Sequence, residues 1–146
     1  MKCPFCGDEE TKVTDKRDNE EEGLTRRRRE CQKCSRRFTT YERPEIEIIV
    51  IKKDGEKEAY NRDKLKTGML KACEKRPIGN EVVEKAINEI EGKLMKKGGE
   101  VESKEIGELV MNKLKKLDKI AYIRFASVYK EFQDVDDFKN AMKEVK

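Results

Sequence analysis

Cys3, Cys6, Cys31 and Cys34 form two C-x2-C pairs with 24 residues between them. Thiolates are soft ligands, and two such pairs can set four sulfurs at the corners of a tetrahedron about 2.3 Å from a zinc ion. All four positions then belong to the protein, so such a site is structural; a catalytic zinc keeps one position open for water. The first pair sits in CPFCG, where Pro4 stiffens the entry and Gly7 permits the positive φ of a metal knuckle. Paired cysteines also serve as redox dithiols or as disulfides. A redox pair belongs beside a βαβ pattern, which the first 44 residues do not show. In a reducing compartment thiols stay unoxidised. One zinc ion on four thiolates is therefore expected. Cys73, in LKACEK, falls on the apolar face of a predicted helix and reads as a small core residue.

The stretch LTRRRRECQKCSRRF, Leu24–Phe38, surrounds the second pair with arginine. Residues 8–22 carry eight acids against three bases, whereas residues 26–37 carry seven bases against one acid. The net charge of the chain is only +4, so positive charge is concentrated rather than general. Arg26–Arg29 lie on a predicted strand, whose side chains alternate between faces; Arg26 and Arg28 share one face, Arg27 and Arg29 the other. Arg36 and Arg37 follow the second knuckle, and Lys12 and Arg17 can join from the preceding strand. Guanidiniums on a rigid ribbon suit bidentate phosphate contacts and guanine readout. The plainer alternative is a solvated charged face, or pairing with the acidic turn. Segregation of the acids into one loop favours double-stranded nucleic acid as partner. Thr39, Thr40 and Tyr41 either add phosphate contacts or form an exit strand.

These residues must be positioned by a segment with almost no core. Thr11–Asp15 and Leu24–Glu30 read as short strands around an acidic turn at Asp18–Gly23, a zinc-ribbon pattern whose folding energy comes largely from the metal. Composition shifts at Arg43-Pro44. Of the 146 residues 35% are hydrophobic and 45% charged, which argues against one large core and for two small domains, 1–44 and 45–146. In the second, Ile46–Lys53 reads as a buried strand, Asp54-Gly55 as a hairpin turn and Glu56–Tyr60 as the returning strand. Asn61 caps a helix through Arg62–Lys75, with Leu65, Met69, Ala72 and Cys73 on one face and Pro77 as its stop. A second helix spans Asn80–Lys97 and ends at Gly98-Gly99. Ser103 caps a third, with Ile106, Leu109, Val110 and Leu114 inward; Asp118 caps a fourth, with Ala121, Phe125, Val128 and Phe132 inward. A last amphipathic segment, within 136–146, is expected either to dock as a C-terminal helix or to fray. The fold class is thus α+β: a small N-terminal zinc ribbon of β structure, then a mainly helical domain with a β-hairpin.

Neither GxxxxGK[ST] nor GxGxxG occurs, so P-loop and Rossmann nucleotide sites are excluded. Lys52 and Lys53 flank the hairpin turn and Lys64 sits in the first turn of the following helix. Lysines converging on a helix N-terminus offer an anion site; the alternative is a solvated hairpin tip. Histidine is absent, which removes the commonest general base, and no nucleophile arrangement is recognisable, so no enzyme is expected. No apolar run approaches the ~20 residues that span a bilayer, and MKCPFCGD lacks the apolar stretch of a signal peptide. A soluble, cytoplasmic protein without membrane contact is expected.

MKCPFCGDEETKVTD with EEGLTRRRRECQKCSRRFTTYERPE resembles the zinc ribbon of the NrdR family, bacterial transcriptional repressors of ribonucleotide reductase genes. IVIKKDGEKEAYNRDKLKTGMLKACEKRPI and LVMNKLKKLDKIAYIRFASVYKEF resemble that family's second part, an ATP-cone, which ribonucleotide reductases also carry as an allosteric module. The resemblance covers nearly the whole chain, in family order. It implies structural zinc on Cys3, Cys6, Cys31 and Cys34, and ribbon arginines and lysines gripping paired operator boxes in nucleoid DNA. It also implies ATP and dATP on the cone as allosteric ligands, whose load decides which homo-oligomer forms. Val50, Ile51, Lys52 and Lys53 match the cone's first strand motif, Lys64 its helix lysine, and Tyr129 lies in the matching RFASVY helix; Thr67 is a further candidate. The chain departs from the family at Lys52-Lys53, usually Lys-Arg, at Ala59-Tyr60, usually Pro-Phe, and at Asp15-Lys16-Arg17, usually Asp-Ser-Arg. The alternative function is a cone regulator that acts by direct contact with the reductase.

Overall fold

The computed structural model describes residues 1–145. The chain divides into two compact units, Met1–Glu45 and Ile46–Lys146.

The first unit is an antiparallel sheet in the order β1-β2-β3, with β1 at Thr11–Asn19, β2 at Leu24–Cys31 and β3 at Arg37–Glu42. β1 runs four residues further than its polar sequence predicts, because every residue from Asp15 to Asn19 has a partner on β2. Thr14 interrupts the register as a bulge and its hydroxyl donates to the Arg28 carbonyl at 3.2 Å. Thr39–Tyr41 form the exit strand, so the arginine-rich β2 is central and paired on both edges. The buried apolar residues of this unit are Cys3, Leu24 and Cys31.

The second unit packs a small sheet against helices α1 (Arg62–Ala72), α2 (Asn80–Lys97), α3 (Ser103–Leu117), α4 (Lys119–Tyr129) and α5 (Val135–Glu144). The hairpin strands are shorter than expected: β4 is Ile49–Ile51 and β5 is Lys57–Ala59. Sequence patterning missed β6, Glu100–Glu102, which pairs parallel to β4. Its one apolar residue, Val101, is buried, and three residues carry too little periodicity to be read as a strand. β6 also overturns Ser103 as the cap of α3. Glu102 is still extended when α3 begins, so Ser103 is already helical and no side chain caps that end.

Asn61 caps α1 as expected, accepting from the N–H groups of Asp63 and Lys64. α1 ends at Ala72 rather than Lys75. Lys75 takes φ +60°, and Arg76 donates through Nε to both Asp118 oxygens at 3.0 and 3.1 Å. Asp118 also accepts from Ala121 N–H at 2.9 Å, so one carboxylate caps α4 and pins the loop after α1. Those partners hold it below the usual carboxylate range, the Ala121 N–H contributing most.

The core gathers Met69, Ile87, Ile90, Leu94, Val110 and Leu114. Val128 was expected inward but is 79% exposed. It shares a helix stripe with buried Ala121, but lies near the end of α4, where that helix borders an open groove. The C-terminal segment docks: Ala141 and Val145 are buried, and Phe132 meets Phe138 edge to face with centroids 4.9 Å apart. Lys146, the last residue of that predicted segment, lies outside the described residues.

A buried polar joint ties the hairpin to the helices. Glu91 accepts from Tyr60 Oη at 2.9 Å and from Arg62, which also reaches Glu84 and Asn88. Burial, with the Glu91 carboxylate beside it, pushes the Tyr60 phenol far up, so its hydroxyl stays a donor. This network was not read from the sequence, since its members are spread over residues 60–91. Among the described residues no helix is long and apolar enough to cross a membrane.

Candidate functional site

The two knuckles are built alike. Gly7 N–H donates to the Cys3 carbonyl at 2.9 Å, and Ser35 N–H to the Cys31 carbonyl at 3.1 Å. Gly7 has φ +80° and Ser35 φ +62°, so the second knuckle makes the same turn without glycine. The sulfurs of all four cysteines lie within 4.8 Å of one another, with Cys3–Cys34 and Cys6–Cys31 at 3.6 Å. A tetrahedral zinc with bonds of 2.3 Å needs sulfurs about 3.8 Å apart. The N–H groups of Lys33 and Cys34 both point at Cys31 Sγ at 3.4 Å, and Phe5 N–H points at Cys3 Sγ at 3.4 Å. Such donors stabilise thiolate. The thiols hold their protons unequally. Burial raises Cys3, but the Cys6 and Phe5 N–H groups and neighbouring thiols outweigh it and leave it at about 7. The Asp8 N–H lowers Cys6, but burial and the Cys31, Cys3 and Cys34 sulfurs push it up to about 11. Four sulfurs at this spacing ionise together only when a cation shares their charge. The donor set fits one structural zinc.

Strand register sorts the basic residues of the ribbon. Lys12, Arg17, Arg26, Arg28 and Arg37 share one face of the sheet with Asp15, Glu30, Thr39 and Tyr41. Lys16, Arg27 and Arg29 lie on the other with Asp18, Glu42, Val13 and Phe38. The first face carries five cations against two acids, the second three against two. Arg28 donates to Thr39 Oγ1 and Arg29 to Thr40 Oγ1, both at 2.8 Å, and these threonines orient the guanidiniums without neutralising them. Arg27 is neutralised by Glu42 at 2.7 Å, Arg37 by Glu30 at 3.2 Å and Arg17 by Asp15 at 3.1 Å. Arg36 lies on neither face: its guanidinium stacks over the exposed Phe5 ring, 5.1 Å from the centroid, joining the two knuckles. Sequence reasoning passed over Phe5; an aromatic inside a C-x2-C loop was its signal.

In the second unit, β4 pairs Val50 with Glu58, which sets Glu58 diagonal to Lys52 on one hairpin face. Lys52 and Lys64 both reach the same Glu58 oxygen, at 3.2 and 3.3 Å. Lys53 lies exposed in the turn with no ion pair among the described residues, and Ile51 alternates to the opposite face from Val50. The candidate lysines therefore divide, Lys52 and Lys64 converging and Lys53 standing apart. The α1 N-terminus is not an open anion site, since Asn61 Oδ1 already takes the N–H groups of Asp63 and Lys64 at 2.9 and 3.3 Å. Glu58 was missed, because only the hairpin register sets it beside Lys52.

Lys64, Gly68 and Lys71 recur on one face of α1, with Thr67 exposed beside them. That face meets α4 across a groove of about 460 Å³ lined by Gly68, Lys71, Arg124, Phe125, Val128 and Tyr129. The Tyr129 ring stacks near-parallel on Phe125 at 5.9 Å, and its hydroxyl donates to the Lys104 carbonyl at 2.9 Å. Buried Gly107 on α3 makes room for that ring: a Cβ there would lie inside it. Gly107→Ala should displace Tyr129 and lower stability by about 1–3 kcal/mol, the usual cost of overpacking. Thermal unfolding checks this, and Gly107→Ala/Tyr129→Ala should recover much of the loss.

Residues 1–42 match the NrdR-like transcriptional repressor N-terminal domain, and residues 48–135 match the ATP cone domain. Proteins described as transcriptional repressor NrdR align along almost the full chain. That of Thermotoga neapolitana is 55% identical over 148 residues, covering 100% of this chain and 95% of its own. That of Kosmotoga olearia is 53% identical over 148 residues, covering 100% and 94%. That of Finegoldia magna is 56% identical over 140 residues, covering 94% and 93%. The chain belongs to the NrdR family. NrdR proteins are transcriptional repressors, a regulatory and not a catalytic role. In this NrdR-family chain the four-cysteine cluster is the metal centre of the zinc ribbon, and the hairpin with α1–α4 is its ATP cone.

Proposed function

We propose that the chain represses ribonucleotide reductase genes in response to ATP and dATP. The face bearing Lys12, Arg17, Arg26, Arg28 and Arg37 meets operator DNA, and the observation that carries this is its excess of five cations over two acids. Arg27, Arg29 and Arg36 act from the other face and the knuckle edge, on flanking phosphates. Nucleotide phosphates bind at Lys52 and Lys64, with Lys53 at the rim. Val50, Ile51, Thr67 and Tyr129 contribute around them. The nucleotide changes function only by binding one assembly better than another. A homo-oligomer that sets two ribbons on two operator boxes then gains through effective concentration. This places the protein in the cytoplasm, on the nucleoid.

A band-shift with the reductase promoter, with no nucleotide, ATP, dATP or both, tests the proposal; retardation should depend on the nucleotide. Lys64→Ala should weaken ATP binding about tenfold, the loss of one charge-assisted contact. It should leave the metal content unchanged, and calorimetry reads the affinity. No band-shift under any condition, with reductase co-purifying, would favour the direct-contact regulator.

A further inference from the structure

Two lysines that converge on one oxygen define an anion site, and in this fold the anion is the protein's own. The Glu58 side chain is 33% exposed, with Lys52 at 43% and Lys64 at 66%, so a solute can reach the cluster. Glu58 is carried on β5 by its pairing with buried Val50, which lies beside it on the same face of the hairpin. It cannot drift with the turn. Hydrogen bonds from Lys52 and then Lys64 hold the Glu58 carboxyl below its ordinary range, and the Glu58 bond raises Lys52. Glu58 and Lys52 therefore face each other as a charged pair at neutral pH. The two lysines present +2 to an incoming phosphate only after Glu58 has left them, and +1 while it remains.

We propose that Glu58 sets the nucleotide affinity of the cone as an internal competitor: its carboxylate holds Lys52 and Lys64 in place of a phosphate and must be displaced before a polyphosphate binds. This rests on the assignment of those lysines to nucleotide phosphates. The carboxylate holds both lysines converged on one point and raises the threshold that a ligand's charge has to overcome. Ligands with several negative charges repay that cost best, which suits a site for triphosphates over single phosphates. The same displacement breaks the ion pair between Glu58 on β5 and Lys64 on α1.

The test is calorimetric titration of the full chain with ATP and, separately, with inorganic tripolyphosphate, in buffer free of chelator. Glu58→Gln keeps the size and hydrogen-bonding capacity of the side chain and removes its charge. Two exposed ion pairs are lost, so both ligands should bind roughly three- to tenfold tighter. Equal or weaker binding by Glu58→Gln would overturn the competitor role. Weakening confined to magnesium-containing buffer would also overturn it, by making Glu58 a ligand to the nucleotide's cation. Lys52→Ala and Lys64→Ala separate the two layers. If neither changes ATP affinity, the nucleotide site itself is misplaced. If both weaken it while Glu58→Gln does not strengthen it, only the competitor fails.

Discussion

Cys31→Ser/Cys34→Ser is expected to unfold residues 1–45 and to leave the rest of the chain folded. In the ribbon the only buried apolar residues are Cys3, Leu24 and Cys31. Burying one leucine stabilises by about 1.5–3 kcal/mol, whereas ordering backbone costs about 1–2 kcal/mol for each residue. The sheet hydrogen bonds, worth about 1 kcal/mol each net, do not close that gap. A structural zinc contributes about 10–16 kcal/mol at neutral pH, the largest single term available to a segment of this size. Cys31 is 1% exposed and receives two N–H groups, so removing it with Cys34 dismantles the second knuckle and half the donor set. The expected amide spectrum shows residues 1–45 collapsed to coil positions and the cone still dispersed, because the two are separate compact units and the cone's core contains no ribbon residue. Operator binding should disappear while ATP affinity holds within about twofold, the scatter expected of distant, independent sites. Dispersed ribbon amides in metal-free protein would falsify the idea that the ion carries this fold.

The second large effect is expected from Arg26→Ala/Arg28→Ala. Both side chains lie on the more positive ribbon face, and Thr39 already orients Arg28. A guanidinium bidentate to guanine contributes about 1–3 kcal/mol, and each phosphate contact adds about 0.9 to the salt slope. Losing two should weaken operator binding by at least about thirtyfold, or flatten the salt slope by about two if both met phosphate. Arg27→Ala is the control. Arg27 already spends its charge on Glu42, so that variant should lose no more than about threefold. Band-shifts from 50 to 200 mM salt, a range over which such affinities change most, distinguish the cases. The reverse order of the two variants would move the DNA face to the other side of the sheet.

Much of this architecture was legible before any coordinates. Two C-x2-C pairs pointed to a shared metal centre, ahead of the redox dithiol and the disulfides that the same residues allow. Composition shifts at Arg43-Pro44, and the two compact units are Met1–Glu45 and Ile46–Lys146. Helix periodicity located α2 to the residue, and Asn61 and Asp118 announced their helices because a cap is a local bond between neighbours. Strand alternation split the four arginines into pairs for the same reason.

What failed was non-local. β6 exists only because β4 offers it a parallel edge about fifty residues away in the chain, a separation ordinary for a parallel crossover. Glu58 between Lys52 and Lys64, Gly107 under Tyr129, and Glu91 between Tyr60 and Arg62 each join residues that share no period and no motif. Val128 obeys its helical period and is still exposed, because a period names a face and only a neighbouring element decides whether that face is covered. The sequence by itself thus determined the two cysteine pairs, the alternation of the charged strand and the caps of α1 and α4, all set between near neighbours. The tertiary structure alone decided which arginines stand together and which carboxylate the lysines already hold, since register and packing bring distant residues within bonding distance.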